Sequence, residues 1–416
     1  MSFFKVSNLP KKWFIGAFGI KVISSIILTL IYTKYYTDRN TADIFKYFDD
    51  GLIMFSSIKT NPLDFIQMVL GLDFNYYYFD QHYYQNIGNW TRPYSTDLVS
   101  DSHIIIRFNA FVNLFSFGYF YVHNIFINFI SLVGLTAIYK SFIPYAKKKE
   151  KVLFYGIFLS PSVLFWGSGL LKESIIFFGL GIFLFAFIKI SIRFKLIYML
   201  KITMGLIIII FTKFYLFSAI LIASFGYFLN NWFKLKKVIY GYTISLISFF
   251  IAINTLPLVA PSLNFINQIA WKQQAFSRFI ASVQTNSGFL IPELSDGLSI
   301  LIHIPNALLN TIIRPFLWEC TSLFVYLSAI ENSILLAAIV FCFIFRKKLN
   351  YEQKNTLYFN LTFTLALFII IGLTTPVFGA IMRYKIPGLI LLIISLIMIL
   401  DIEKLKAKNK FLDKIL

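Results

Sequence analysis

The sequence predicts an all-α, polytopic transmembrane protein. Three observations carry this. Hydrophobic residues make up 58% of 416 positions and the mean hydropathy is +0.73. No soluble domain of this size has enough interior to hide that apolar surface, so a bilayer must be part of the solvent. The apolar residues fall in long continuous runs, where a membrane β-barrel would show short alternating ones. The basic residues that give the net charge of +19 sit mostly in short clusters between the runs, such as AKKKEK (146–151), KLKK (234–237) and RKK (346–348). That is the pattern of cytoplasmic membrane loops and not of a nucleic-acid surface, so no nucleic-acid partner is expected.

Taken in order, the apolar runs predict about ten spans, at roughly 13–33, 121–140, 152–167, 174–190, 200–213, 215–230, 238–256, 323–345, 355–374 and 383–401. The short runs within 152–190 and 200–230 read as tilted or partly re-entrant hairpins. Ten spans put both termini on one side. That side collects 24 Lys/Arg against 5 Asp/Glu, and the other holds 13 against 14, with Lys21 inside the first span. The termini are therefore expected in the cytoplasm. The basic start runs into the first span with no small-residue cleavage site, so this span is expected to be retained. No repeat or linker divides the chain, and residues 1–416 are expected to form one membrane domain with long outward loops at 34–120 and 257–322. Such long loops are usually functional or disordered. The first contains NYYYFDQHYYQNIGNW (75–90), too aromatic for disorder. SHIIIRFNAFVNLFSF (102–117), around Arg107, and DGLSILIHIPNALLNTIIRPF (296–316), ending near Pro315, carry helical periodicity and are expected to lie along the interface.

The chemistry is expected where the first span ends. In NTADIFKYFDDGLIMFSS (40–57), Asp43, Asp49 and Asp50 lie within eight positions around Tyr47. Acids there can simply be solvated. A carboxylate partly shielded by aromatics is also suited to be a general base, because desolvation lifts its pKa toward the working range. Other charges sit close to span ends: Lys172 and Glu173, which can pair with each other or leave Lys172 for a phosphate; Lys213; Arg314 and Glu319 in RPFLWE; and Arg383. Glu331 falls inside the eighth span and needs a partner. Lys172, Lys213, Arg314 and Arg383 are all assigned to the outward face, where each could end a helix at the headgroups or hold a phosphate leaving group. The four histidines, His82, His103, His123 and His303, have no metal-ligand spacing. A divalent metal on Asp49 and Asp50 is disfavoured, since adjacent helical residues point about 100° apart. No cofactor is expected. Cys320 and Cys342 are not expected to form a disulfide. Asn89-Trp90-Thr91 fits a glycosylation sequon by pattern only. No phosphate-loop, dinucleotide-binding or nucleophile-elbow motif occurs, which argues against an ATP-driven pump.

Asp43-Ile44-Phe45-Lys46-Tyr47-Phe48-Asp49-Asp50-Gly51 resembles the first-loop motif D-E-x-x-Y-x-x-x-A of the GT-C superfamily of membrane glycosyltransferases, which includes the protein O-mannosyltransferases and the lipid A aminoarabinose transferases. Ile44 replaces the second acid. Near the other end, FGAIMRYKIPGLI (378–390) is similar to the R-Y-x-x-P-x-x-P of these enzymes at Arg383, Tyr384 and Pro387, with Ile390 in place of the second proline. The resemblance implies an inner-membrane enzyme of bacteria that moves a sugar from a polyprenyl-phosphate donor to a glycan, lipid or protein acceptor. It implies Asp43 as base or acceptor-orienting group, with Asp49 or Asp50 standing in for the missing acid. Tyr47, Lys172, Lys213, Arg314, Glu319, Arg383 and Tyr384 would bind substrate, and the aromatic first loop would stack on sugars. Two rivals stay open. A polysaccharide polymerase or ligase acting on polyprenyl-diphosphate glycans would depend on Arg278 and Arg314. A lipid-linked-sugar flippase or transporter would show two similar halves.

Overall fold

The structure is a computed structural model that describes residues 2–6, 9–36, 38–39, 42–90, 101–261, 264–283 and 287–408. Among these, the regular elements are helices, and β-pairing is limited to isolated bridges. Seven helices are long and apolar enough to cross a membrane, or eight if one bent pair counts as a single span. The chain packs as two compact units, Met1–Ser141 with Val163–Phe214, and Phe142–Ser162 with Tyr215–Leu416.

The first unit opens with α1 (Lys11–Lys34), a candidate span. The long loop that follows is a packed subdomain of short helices: α2 (Asp43–Ser56), α3 (Pro62–Leu70), α4 (Tyr76–His82) and α5 (His103–Ser116). Local chemistry sets their ends. Asn61 caps α3 by accepting from the Leu63 N–H, Pro62 fills its first turn, and Gly71 stops it in the left-handed conformation at φ +74°. This is the expected order of proline at the start and glycine past the end. Asn75 caps α4 through the Tyr78 N–H. Beyond them stands α6 (Phe120–Phe142), a second span.

Next come α7 (Glu150–Phe158) and α8 (Pro161–Trp166), where the sequence suggested one span at 152–167. Pro161 has no N–H and disfavours helix at Ser160, so the run divides into pieces of nine and six residues. The first unit then completes itself with α9 (Lys172–Ile192) and α10 (Leu196–Thr212). α10 has 17 residues and falls short of the spanning helices. Small residues let these helices touch. A Cβ on Gly134 would lie 2.2 Å from the Phe177 carbonyl oxygen, and one on Gly181 2.2 Å from that of Gly134. Close backbone approach of this kind is how helices associate where lipid removes the hydrophobic drive.

The second unit contains α11 (Phe214–Phe233), α12 (Val238–Val259), α13 (Phe265–Val283), α14 (Gly297–Leu308), α15 (Leu323–Ile344), α16 (Tyr351–Thr374), α17 (Phe378–Tyr384), α18 (Ile386–Ile399) and α19 (Ile402–Lys408). α11, α12, α15 and α16 are candidate spans. The last expected span, 383–401, arrives instead as α17 and α18 bent by 57°, and Pro387 in the first turn of α18 explains the break. Asp296 with Ser299 and Asn350 with Gln353 form reciprocal caps on α14 and α16.

Candidate functional site

Asp43 is the first residue of α2, at the positive end of the helix dipole. Tyr47, one turn on, is buried. The ammonium of Lys172 lies 4.9 Å from the Tyr47 ring centroid and within electrostatic reach of Asp43. Lys172 is itself the first residue of α9. A cation there opposes the dipole, so it needs an anion. Asp101 supplies one: its Oδ1 accepts from Lys172 Nζ at 2.6 Å and its Oδ2 from Lys213 Nζ at 2.5 Å. Both lysine side chains are only 6% exposed, and Asp101 is 38% exposed. Lys213 sits at the junction of α10 and α11, its N–H closing on the Ile209 carbonyl. Thus Lys172 and Lys213, expected from sequence, converge on Asp101, which was not, and Tyr47 and Asp43, also expected, lie near Lys172. Lys172 pairs with Asp101, where the sequence left open a pair with Glu173 or a phosphate.

The turn that presents Lys172 is pinned from within the apolar helices. The Gly167 carbonyl accepts from Lys21 Nζ at 2.6 Å, Ser131 Oγ at 2.8 Å and Ser174 Oγ at 3.0 Å. Lys21 also reaches Ser168 Oγ. The lysine buried in α1 is therefore satisfied by a helix end.

Asp49 and Asp50 are engaged elsewhere. Asp49 forms a bidentate pair with Arg39, both well exposed. Asp50 is buried and accepts from the N–H groups of Gly88 and Asn89 at 3.0 Å and from Asn89 Nδ2 at 2.8 Å. Burial pushes its pKa up, against the pull of those bonds, and Asp49 adds to the rise. Asp50 thus clasps the loop at 88–89. Asp49 and Asp50 engage different partners, and among the described residues no group of three or more His, Cys, Asp or Glu side chains could hold a metal ion.

Much of the aromatic loop is its own core. Asp64 accepts from the hydroxyls of Tyr78 and Tyr83, and burial together with Asp64 pushes the Tyr83 hydroxyl up to about 12. Asp73 accepts from Tyr84 and pairs with Arg107. Trp90 stacks between Tyr84 and His103. Phe74 and Tyr77 remain at the surface. Thr91 of the sequon lies outside the described residues.

In the second unit, Arg314 is heavily committed. Its Nε and Nη2 donate to Glu319, its Nη1 to Asn310 Oδ1, and the guanidinium lies 4.4 Å from the Phe289 ring centroid. Burial works against ionisation of Glu319, but the bonds from Arg314 and the Phe316 N–H outweigh it and hold its pKa below the usual range. Arg383 is buried. Tyr384 meets Tyr215 and Phe276 edge to face or tilted. Lys385, which the motif reading passed over, is still more enclosed. Its Nζ donates to Asn332 Oδ1 at 2.6 Å and the Thr311 carbonyl at 3.0 Å. Glu331 finds partners in the Ser162 N–H and the Ser160 and Ser162 hydroxyls.

No known family model, curated protein or solved structure matches this chain. Any functional reading therefore stands on the site itself and on the two sequence motifs.

Proposed function

We propose that the protein is a GT-C-type membrane glycosyltransferase that moves a sugar from a polyprenyl-phosphate donor to an acceptor on the outward face of a bacterial inner membrane, with single displacement and inversion. The observation that carries this reading is the sharing of the Asp101 carboxylate by two buried lysines, with Tyr47 and Asp43 near Lys172. In the reaction, the Asp43 carboxylate takes the proton of an acceptor hydroxyl. The acceptor oxygen bonds to the anomeric carbon. The bond from that carbon to the phosphate oxygen breaks, and its electron pair leaves with the polyprenyl phosphate. Lys172 and Lys213 neutralise the charge that grows on that phosphate, where a water-poor setting makes such contacts strong. Asp101 holds both lysines in place until the phosphate replaces it. Arg383 and Tyr384, in the second unit, are assigned to substrate by the motif resemblance alone.

The test is transfer by the full chain in nanodiscs from radiolabelled polyprenyl-phosphate sugars. Asp43→Asn is expected to lower the rate by about 100-fold or more, the usual scale of a lost general base, with membrane abundance unchanged. Full activity of Asp43→Asn, or no transfer from any such donor, sinks the reading. The polymerase alternative predicts instead that Arg278→Ala and Arg314→Ala abolish joining of diphosphate-linked glycans while Asp43→Asn does not. The ties of Arg314 to Glu319 and Asn310 weigh against it, because a clamped guanidinium has few donors left for a diphosphate.

A further inference from the structure

In the second unit, α13 and the chain from Gly288 to Leu294 border an open cavity of about 380 Å³. One wall is a helical stripe that includes Gln273, Gln274 and Ser277. The other is the extended chain from Gly288 to Leu294, including Phe289 and Glu293, and Pro376 closes one end. The cavity is held open by backbone ties. Phe289 N–H donates to the Pro376 carbonyl at 2.9 Å, and Phe378 N–H to that of Ser287 at 3.1 Å. Gln273 Nε2 reaches the carbonyls of Pro292 and Leu373 and so joins both walls. Arg314 packs on the Phe289 ring and fixes it. Among the described residues, the side chains of Gln274, Ser277 and Glu293 make no hydrogen bond of their own. All three are exposed, and they put an amide, a hydroxyl and a carboxylate on the lining.

We infer that this cavity is a binding site for a neutral sugar unit, the acceptor glycan of the transfer reaction. The inference rests on the glycosyltransferase reading for the role of the sugar, but not for the binding itself. The lining pairs groups that donate and accept with apolar surface from Phe289, Leu290 and Ile291. A pyranose offers the same mixture, hydroxyl edges beside C–H faces. Among the described residues that line the cavity there is one carboxylate and no cation, which disfavours phosphate and any other anion. Its volume is at the small end of ligand pockets, which run about 300–1,000 Å³, and suits a sugar unit better than a lipid chain.

The experiment is saturation-transfer NMR on the full chain in nanodiscs, with maltotriose, cellotriose and N-acetylchitotriose as probes. At least one should give a saturable signal. Ser277→Trp, which fills the cavity, and Glu293→Gln, which removes its acceptor charge, should each weaken that signal at least tenfold at an unchanged unfolding temperature. Gly16→Ala, whose added methyl meets nothing within 4 Å, should leave it intact. If no probe binds, or if both cavity variants bind as the native chain does, the inference is overturned. A chain that binds a probe here but transfers nothing from polyprenyl-phosphate donors keeps the cavity assignment and loses the enzymatic reading. One that transfers to a protein acceptor, and loses only that transfer in Ser277→Trp, refutes the neutral glycan.

Discussion

Asp101→Asn isolates the centre of the proposed site. Asparagine keeps the shape and one acceptor oxygen but removes the charge that two ammonium groups share. Those groups are 6% exposed, and their bonds to Asp101 are 2.6 and 2.5 Å long. Breaking a fully buried ion pair by removing one partner costs about 3–5 kcal/mol. Asp101 itself is 38% exposed, so water recovers part of that loss and the expected destabilisation is about 2–3 kcal/mol. The comparison is Asp49→Asn, which cuts an exposed pair with Arg39 and should change stability by no more than about 0.5 kcal/mol. Both would be measured by reversible SDS unfolding in mixed micelles. A double-mutant cycle of Asp101→Asn with Lys172→Met should return a coupling of about 1–2 kcal/mol. Equal effects of the two Asp→Asn changes, or zero coupling, would refute the bridge and the charge arrangement built on it.

Three further outcomes are expected. Gly134→Ala drives a methyl into the Phe177 carbonyl and should lower the unfolding temperature sharply, by the 1–3 kcal/mol typical of overpacking, whereas Gly16→Ala, with nothing within 4 Å, should be neutral or slightly stabilising. Because Glu319 has its pKa held down in the folded state, its contribution is complete above the ordinary carboxylate value and disappears as pH falls through the lowered one; the unfolding-temperature gap between native chain and Glu319→Gln should therefore narrow as pH falls below the ordinary carboxylate range, and a gap that widens there would reverse the sign. Lys21→Met should shift stability by only about 1 kcal/mol in either direction, since an apolar isostere removes a buried charge and the Gly167 carbonyl still accepts from Ser131 and Ser174; a loss above about 3 kcal/mol in SDS unfolding would show that the lysine itself holds the turn.

The spans were legible where a run was both long and unbroken. The run at 13–33 became Lys11–Lys34, and that at 323–345 became Leu323–Ile344. Hydropathy averaged over a window does not register a single missing N–H, which is why the run around Pro161 read as continuous. The second long loop concealed α13, because its polar stripe at Gln273, Gln274 and Ser277 breaks the apolar run while keeping helical period. In the site, the acids and lysines stood out as charges beside membrane segments. Their pairing did not, because Asp101 meets Lys172 and Lys213 across 71 and 112 residues of sequence. Nothing local marks an isolated aspartate ahead of an apolar helix as the shared partner of two distant lysines. Lys385 went unnoticed for a different reason: a motif directs attention to Arg383 and Tyr384, while burial, which a motif does not encode, singles out the next residue.

The differing surroundings of the cations indicate which of them a ligand anion could recruit. An incoming phosphate must replace whatever carboxylate is already there. Glu319 binds Arg314 through two nitrogens and also accepts the Phe316 N–H, so releasing it forfeits several charge-assisted bonds at once. Asp101 gives one bond to each lysine and already faces water over more than a third of its side chain. Once displaced it is readily solvated, whereas the two lysines it leaves are enclosed and need an anion more than before. Exchange is thus favourable at Lys172 and Lys213 and unfavourable at Arg314. On the glycosyltransferase reading, the donor phosphate would be held at Lys172 and Lys213 within the first unit; within the second, Arg314 packs on Phe289, a wall of the cavity.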